Sequence, residues 1–378
     1  MVVVHHGMLT IAPFAAAYST GRVIGTPASS EWWLLYSPLH LIWDGPSAVL
    51  VFFVLSGLVL SRSVADAGVG RWVAYYPQRL IRLYVPTIAA VALTVVNIVV
   101  VPRTAVMNSS WLVDAAHSVS RWSITADLSL THGHGYLLSP LWSLHWELVF
   151  SLLLPLFVVL GSSARFRLGR WACFVGITVA MLVGAAAAVP WLQFLPVFLV
   201  GVIIMVGEVP LRAALQRCGR RRVLVLAAAA LLALSAPWLL RGVGLSAAAA
   251  ADVLPLTVAG AALLVVVVLG TPSAEALLRH RLLQWLGAIS FSLYLVHEPV
   301  VIASAYLFGE GRQLIAVPVG VLVSLGLAVV FRRCVERPAH RLAVLSGRAV
   351  HAALERAGAA RRMRRPNVVV VPGPVQGE

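Results

Sequence analysis

Apolar runs of about twenty residues recur from one end of this chain to the other, each long enough to cross roughly 30 Å of hydrocarbon. That recurrence limits the possible folds more than any single motif does. Lipid offers no water to satisfy a backbone, so each run is expected to be a helix that bonds to itself. The composition agrees: 60% of the 378 residues are hydrophobic and 11% are charged, against about 25% charged in soluble domains. The expected fold class is all-α, a polytopic membrane protein with about ten transmembrane helices. The spans are read at 1–18, 46–62, 81–101, 139–161, 171–189, 191–207, 223–240, 253–270, 286–307 and 313–331. No sizeable water-soluble domain is left between them. The first segment reads as a retained membrane helix rather than a cleaved signal peptide.

Charge sets an expected orientation. The chain has 29 basic residues apart from histidine, and all are arginine. Arg22, Arg103, Arg121, Arg241 and Arg312 fall in one set of loops, and all the others fall in the alternate loops and the tail. Arginine collects on the cytoplasmic side. Both termini, with Arg79 and Arg82, are therefore expected in the cytoplasm, in a multi-pass protein of a bacterial inner or plasma membrane. This placement accounts for the net charge of +15 with no nucleic-acid partner. Cys173, Cys218 and Cys334 lie far apart without metal-ligand spacing and read as ordinary apolar residues. A membrane domain over 1–342 is expected to be followed by a basic, largely disordered cytoplasmic tail over 343–378. Within the tail, 345–365 reads as a basic helix on the anionic inner leaflet and the last dozen residues as disordered.

Ionisable groups at membrane depth are costly, so each is a candidate for function. His5 and His6 are adjacent in VVVHHGML; on a helix they point about 100° apart, so one of them faces the bundle interior better than the other. A buried neutral histidine makes a good general base, and a pair at a helix end is equally ordinary. Glu147, inside LWSLHWELVF, needs a partner: it either orients a histidine or pairs with an arginine. His145, two positions earlier, points to a different face. His297 and Glu298 precede Pro299 in SLYLVHEPVV, where a proline often marks a bend; they line a cavity or bond between helices. Arg79 and Arg82 lie three apart on one helix face, two guanidinium forks suited to phosphate or flanking charges that fix orientation. Ser56 and Gly57 read as a close-packing pair. The largest outside loop, about 102–138, carries Trp111, His117, Trp122, His132 and His134, aromatic and polar groups that suit a sugar-bearing acceptor or an interfacial belt. Two histidines in a glycine-rich loop are weak support for a metal, and none is expected.

Taken together, FFVLSGLVLSR, RLIRLYVP, LWSLHWELVF, ISFSLYLVHEPV and VERPAHRL resemble, in order, the motifs of acyltransferase family 3, integral membrane O-acyltransferases. The resemblance covers about residues 1–342. It implies ten helices and transfer of an acyl group, usually acetyl, from cytoplasmic acyl-coenzyme A to a hydroxyl of a carbohydrate or glycosylated acceptor. It implies no tightly bound cofactor, acyl-coenzyme A being a co-substrate. His6 aligns best with the family's essential base, with His5 as the fallback, and Arg79 and Arg82 with its donor contacts. Glu147 is expected to orient the base or stabilise charge, and His297 to meet substrate. The family also carries an arginine eleven positions before its histidine, and counting back from His6 falls before Met1. The expectation is therefore a natural start further upstream. Two rivals stand beside the enzyme: a proton-coupled transporter or flippase of lipid-linked or small polar cargo, which buried His and Glu also fit, and an inactive scaffold.

Overall fold

The structure is a computed structural model that describes residues 1–64, 68–115, 119–246, 248–249 and 252–363. In chain order the helices begin with α1 (Val2–Leu9), α2 (Ala12–Ser19), α3 (Ser30–Tyr36), α4 (Gly45–Val64), α5 (Val69–Val100), α6 (Ser110–Asp114), α7 (Arg121–Ser129), α8 (Leu141–Leu152) and α9 (Leu154–Ser162). They continue with α10 (Arg167–Ala186), α11 (Pro190–Val206), α12 (Glu208–Gln216), α13 (Arg220–Gly242), α14 (Leu254–Gly270), α15 (Pro272–Leu278), α16 (Arg281–Phe308), α17 (Gln313–Phe331) and α18 (Arg337–Met363). No strand occurs among the described residues. Among the described residues six helices are long and apolar enough to cross a membrane, and up to ten spans result if each of four bent helix pairs is one span. Trp171, Phe174, Val175, Val179 and Leu182 of α10 lie exposed. An outward face that apolar suits lipid rather than water, as expected of a multi-pass membrane protein.

Two of the buried apolar clusters are the largest, and α8 belongs to both. On one side Phe198 of α11 stacks between Phe53 of α4 and Phe150 of α8, with ring centroids 4.5 Å apart at each step. On the other, Leu83 of α5, Leu141 and Leu144 of α8, Ile289 and Leu295 of α16 and Phe331 of α17 pack together. The close approach of α4 to α11 depends on glycine. A Cβ on Gly57 would fall 2.1 Å from the Phe198 carbonyl oxygen, and one on Gly201 would fall 2.0 Å from that of Val54. The Ser56–Gly57 pair therefore sits at a packing contact.

The bends depart from the sequence reading. The span read at 1–18 is two short helices that meet at 102°. Pro13 in the first turn of α2 has no N–H to return to the preceding turn. Thr10 closes α1 instead, its hydroxyl donating to the Gly7 carbonyl at 2.7 Å. The span read at 139–161 bends by 68° between α8 and α9, with a proline in the first turn of α9. In contrast, α16 runs on through Pro299, and α5 is 32 residues long with Pro77 and Pro86 inside it. The basic helix read at 345–365 is the second half of α18, which begins at Arg337 and crosses the expected boundary at 342. It packs along α5, with Ala339 and Ala343 buried and Gly347 against the Gln78 side chain. The final dozen residues, read as disordered, lie outside the described residues, as does His117.

Candidate active site

Helix α1 packs against α4, α16 and α17. Its two histidines diverge, as adjacent helical positions must. His5 turns to α4 and α2: its Nδ1 lies 3.2 Å from the Trp43 carbonyl oxygen, and its ring meets Tyr18 edge-on at 4.9 Å. His6 turns to α16, where its Nδ1 lies 2.9 Å from His297 Nε2, and its other side stacks on Trp111 at 5.2 Å. Both histidines of the pair are buried, His297 completely.

The hydrogen bonds assign the tautomers. His297 Nδ1 lies 2.9 Å from the Leu293 carbonyl, one turn back on α16. A carbonyl only accepts, so Nδ1 carries the proton of a neutral ring and Nε2 carries the lone pair. His6 Nδ1 must then donate to His297 Nε2. The lone pair of His6 is left on Nε2, a basic atom fixed in direction by a second ring, and that geometry suits proton abstraction.

Cavities approach this pair from both ends. One of about 270 Å3 is lined by Val2 and Val3, about one helical turn before His6 on α1, by Leu293 and Tyr294, about one turn before His297 on α16, and by Glu147 of α8. Another, of about 190 Å3, is lined by Trp111, Tyr136, Ser139 and Glu298. Glu298 is held there by Ser139, whose N–H donates at 2.6 Å and whose hydroxyl donates at 2.5 Å.

Glu147 does not reach the histidines. It forms a buried ion pair with Arg79, and Arg79 Nε also donates to Ser151 Oγ at 3.0 Å. The second oxygen of Glu147, Oε2, is buried with no hydrogen-bond partner among the described residues. Arg79 and Arg82 are thus unlike each other. Arg79 is buried and paired, while Arg82 is exposed and forms no ion pair among the described residues. Both line a cavity of about 220 Å3 with Ser63, Tyr75, Gln78 and His340. His145 is occupied elsewhere, its Nδ1 bonding the Leu130 carbonyl at 2.6 Å. His132 lies in an exposed loop beside Ser129 and Thr131. No group of three or more His, Cys, Asp or Glu side chains among the described residues is placed to hold a metal ion.

Segments far apart in sequence are tied together by polar contacts. Ser143 on α8 bonds Tyr294 on α16 at 2.6 Å, and Ser292 on α16 donates to Glu336 at 2.5 Å. A family model described as an acyltransferase domain, that of acyltransferase family 3, matches residues 1–333. The chain belongs to acyltransferase family 3. Comparisons with curated proteins and with solved structures find no match. In this acyltransferase three of the five stretches that carried the resemblance are joined directly: RLIRLY meets LWSLHWEL through Arg79 and Glu147, and LWSLHWEL meets SFSLYLVHE through Ser143 and Tyr294. Trp111 against His6, Ser151 on Arg79 and Ser139 on Glu298 were not singled out as site partners from sequence. Each lies far along the chain from the group it touches, and no spacing signal connects them.

Proposed function

We propose that this acyltransferase moves an acyl group, acetyl in the simplest case, from acyl-coenzyme A to a hydroxyl of a carbohydrate or glycosylated acceptor. The observation that supports it most is the His6–His297 pair, which leaves one directed lone pair on His6 Nε2. In this scheme His6 Nε2 takes the acceptor's hydroxyl proton as the oxygen attacks the thioester carbonyl. The tetrahedral intermediate collapses, the C–S bond breaks, and the proton held by His6 passes to the departing thiolate. His297 accepts from Nδ1–H throughout and steadies the imidazolium.

The acceptor enters beside Trp111 and Glu298, and the acyl end of the donor enters beside Val2, Val3 and Tyr294. Arg82, the guanidinium not spent on a carboxylate, holds donor phosphate. Arg79, already neutralised by Glu147, shapes the wall behind it. In this scheme both the N-terminus and Arg82 face the cytoplasm of a bacterial plasma membrane. Residues 1–342 form the catalytic unit and 343–378 a basic appendage.

The test is label transfer in membranes. Radiolabelled acetyl-coenzyme A is supplied to membranes that hold the wild-type or the His6→Ala chain, and label is counted in the carbohydrate fraction. Label that depends on His6 is expected. Equal label from both chains would remove His6 as the base. Absence of any label, together with cargo movement that follows a proton gradient, would favour transport instead.

A further inference from the structure

A cavity of about 360 Å3 lies apart from the histidine pair, between α4, α11, α13 and α14. None of His6, His297 or Arg82 lines it. Two buried, oppositely charged side chains do. Asp44 is 1% exposed; its Oδ1 accepts from the Ser47 N–H at 3.1 Å and caps α4, while Oδ2 has no hydrogen-bond partner among the described residues. Arg241 is 7% exposed; its Nη2 donates to the Ala17 carbonyl at 2.6 Å and its guanidinium lies 4.3 Å over the Trp238 ring. Its Nε is buried and has no partner among the described residues. No ion pair joins Asp44 to Arg241 among the described residues. Leu50, Phe194 and Leu254 complete the wall with apolar surface.

Removing charges from water is costly unless they are paired. At Arg79 the protein pairs them itself. Here it places both signs on the lining of one cavity without pairing them with each other among the described residues. A molecule that complements this lining brings a cation with N–H donors to Asp44, an anion to Arg241, and an apolar part for Leu50, Phe194 and Leu254.

We propose that this cavity binds a phospholipid with a primary-ammonium zwitterionic headgroup, of the phosphatidylethanolamine class. The ammonium donates to Asp44, the phosphate accepts from Arg241, and an acyl chain lies along the apolar wall. An anionic lipid would place a second negative charge beside Asp44. A quaternary ammonium has no N–H for Oδ2. A neutral sugar compensates neither charge. The proposal stands independently of the acyl-transfer reading, since it uses none of those residues.

The test is lipid retention by the full chain. The protein is purified in detergent and incubated with equal amounts of phosphatidylethanolamine, phosphatidylcholine and phosphatidylglycerol of identical chains. Bound lipid is then read by native mass spectrometry. The wild type is expected to retain phosphatidylethanolamine at least about tenfold over the other two. Asp44→Asn keeps an oxygen for the helix cap and is expected to lose that preference, and Arg241→Gln to retain less lipid in all. Equal retention of the three lipids by the wild type, which needs no variant to fold, would overturn the proposal. So would retention of no lipid, or an unchanged preference in Asp44→Asn. A further arm adds glycerophosphoethanolamine, the headgroup without chains. Displacement of the lipid by an equal concentration of it would overturn the lipid assignment in favour of a free headgroup, and its failure to compete at that concentration would support the lipid.

Discussion

Two buried polar pairs join helices of this bundle, and they solve the same problem in opposite ways. Arg79 and Glu147 join α5 to α8 as an ion pair, with Ser151 taking a further donor. His6 and His297 join α1 to α16 as two neutral rings in one direction of hydrogen bonding. The ion pair turns each charge on the other. The histidine pair satisfies its inner nitrogens and leaves an outer lone pair. A neutral pair costs less to bury than two charges, and it keeps a reactive atom free. In the proposed scheme the two pairs do different work, chemistry for the histidines and architecture for the ion pair.

The sharpest break of that contrast is His6→Ala. Turnover is expected to fall by roughly 10²- to 10⁴-fold, the usual share of a general base. The chain should still elute as a single species and keep its helical signal. Loss of the folded species would instead make His6 architectural. The next effect is on folding rather than turnover. Glu147→Ala leaves Arg79 buried without its carboxylate and is expected to cost about 3–5 kcal/mol, seen as a lower melting temperature in detergent. Replacing both, Arg79→Leu with Glu147→Leu, should recover most of that loss, because two apolar side chains need no partners. A double variant no more stable than Glu147→Ala would show that the pair is not acting as a unit.

How much of this was legible in the sequence follows from which signals are local. The apolar runs announced helices along the whole chain, since period and length lie within each segment. The divergence of His5 and His6 was also legible, because 100° per residue is local geometry. Which histidine met which wall was not. The partner of His6 stands 291 positions away, and the resemblance to a family, rather than any spacing, put His6 first. Glu147 was left open between a histidine and an arginine, and only the crossing of α5 and α8 decides for Arg79. The right-angle turn after Leu9 was missed for another reason. Hydropathy runs unbroken through 1–18, and the signal that broke it was a single proline at position 13. Pro299 carried the same signal and broke nothing, so the residue type alone does not give the bend. Asp44 and Arg241 drew no pairing at all, because a carboxylate before one helix and an arginine at the end of another share no sequence pattern.

Arg82 sharpens the comparison on the arginine side. If its guanidinium is the one left for donor phosphate, Arg82→Ala is expected to raise KM for acyl-coenzyme A about tenfold, the loss of one charge-assisted contact. The turnover number and the melting temperature should hardly change. A lower melting temperature with unchanged KM would place Arg82 with Arg79 as a structural group.

The smallest expected effect separates the two histidines of α1. His5 bonds the Trp43 carbonyl and packs so closely that a Cβ on Gly45 would lie 2.7 Å from its ring. His5→Ala opens a small void there and leaves a buried carbonyl without its donor, a loss of about 1 kcal/mol. The His6–His297 bond stays, since His297 approaches α1 from the other side. Steady-state turnover per folded molecule is therefore expected to stay within about threefold of wild type, well under the 1.4 kcal/mol that a factor of ten represents. The comparison with His6→Ala carries the point, because the two variants remove the same ring from neighbouring positions. If His5→Ala abolished turnover in a chain that still melted like wild type, the reactive lone pair would belong to the ring held by Trp43, and the pair with His297 would be the architectural one.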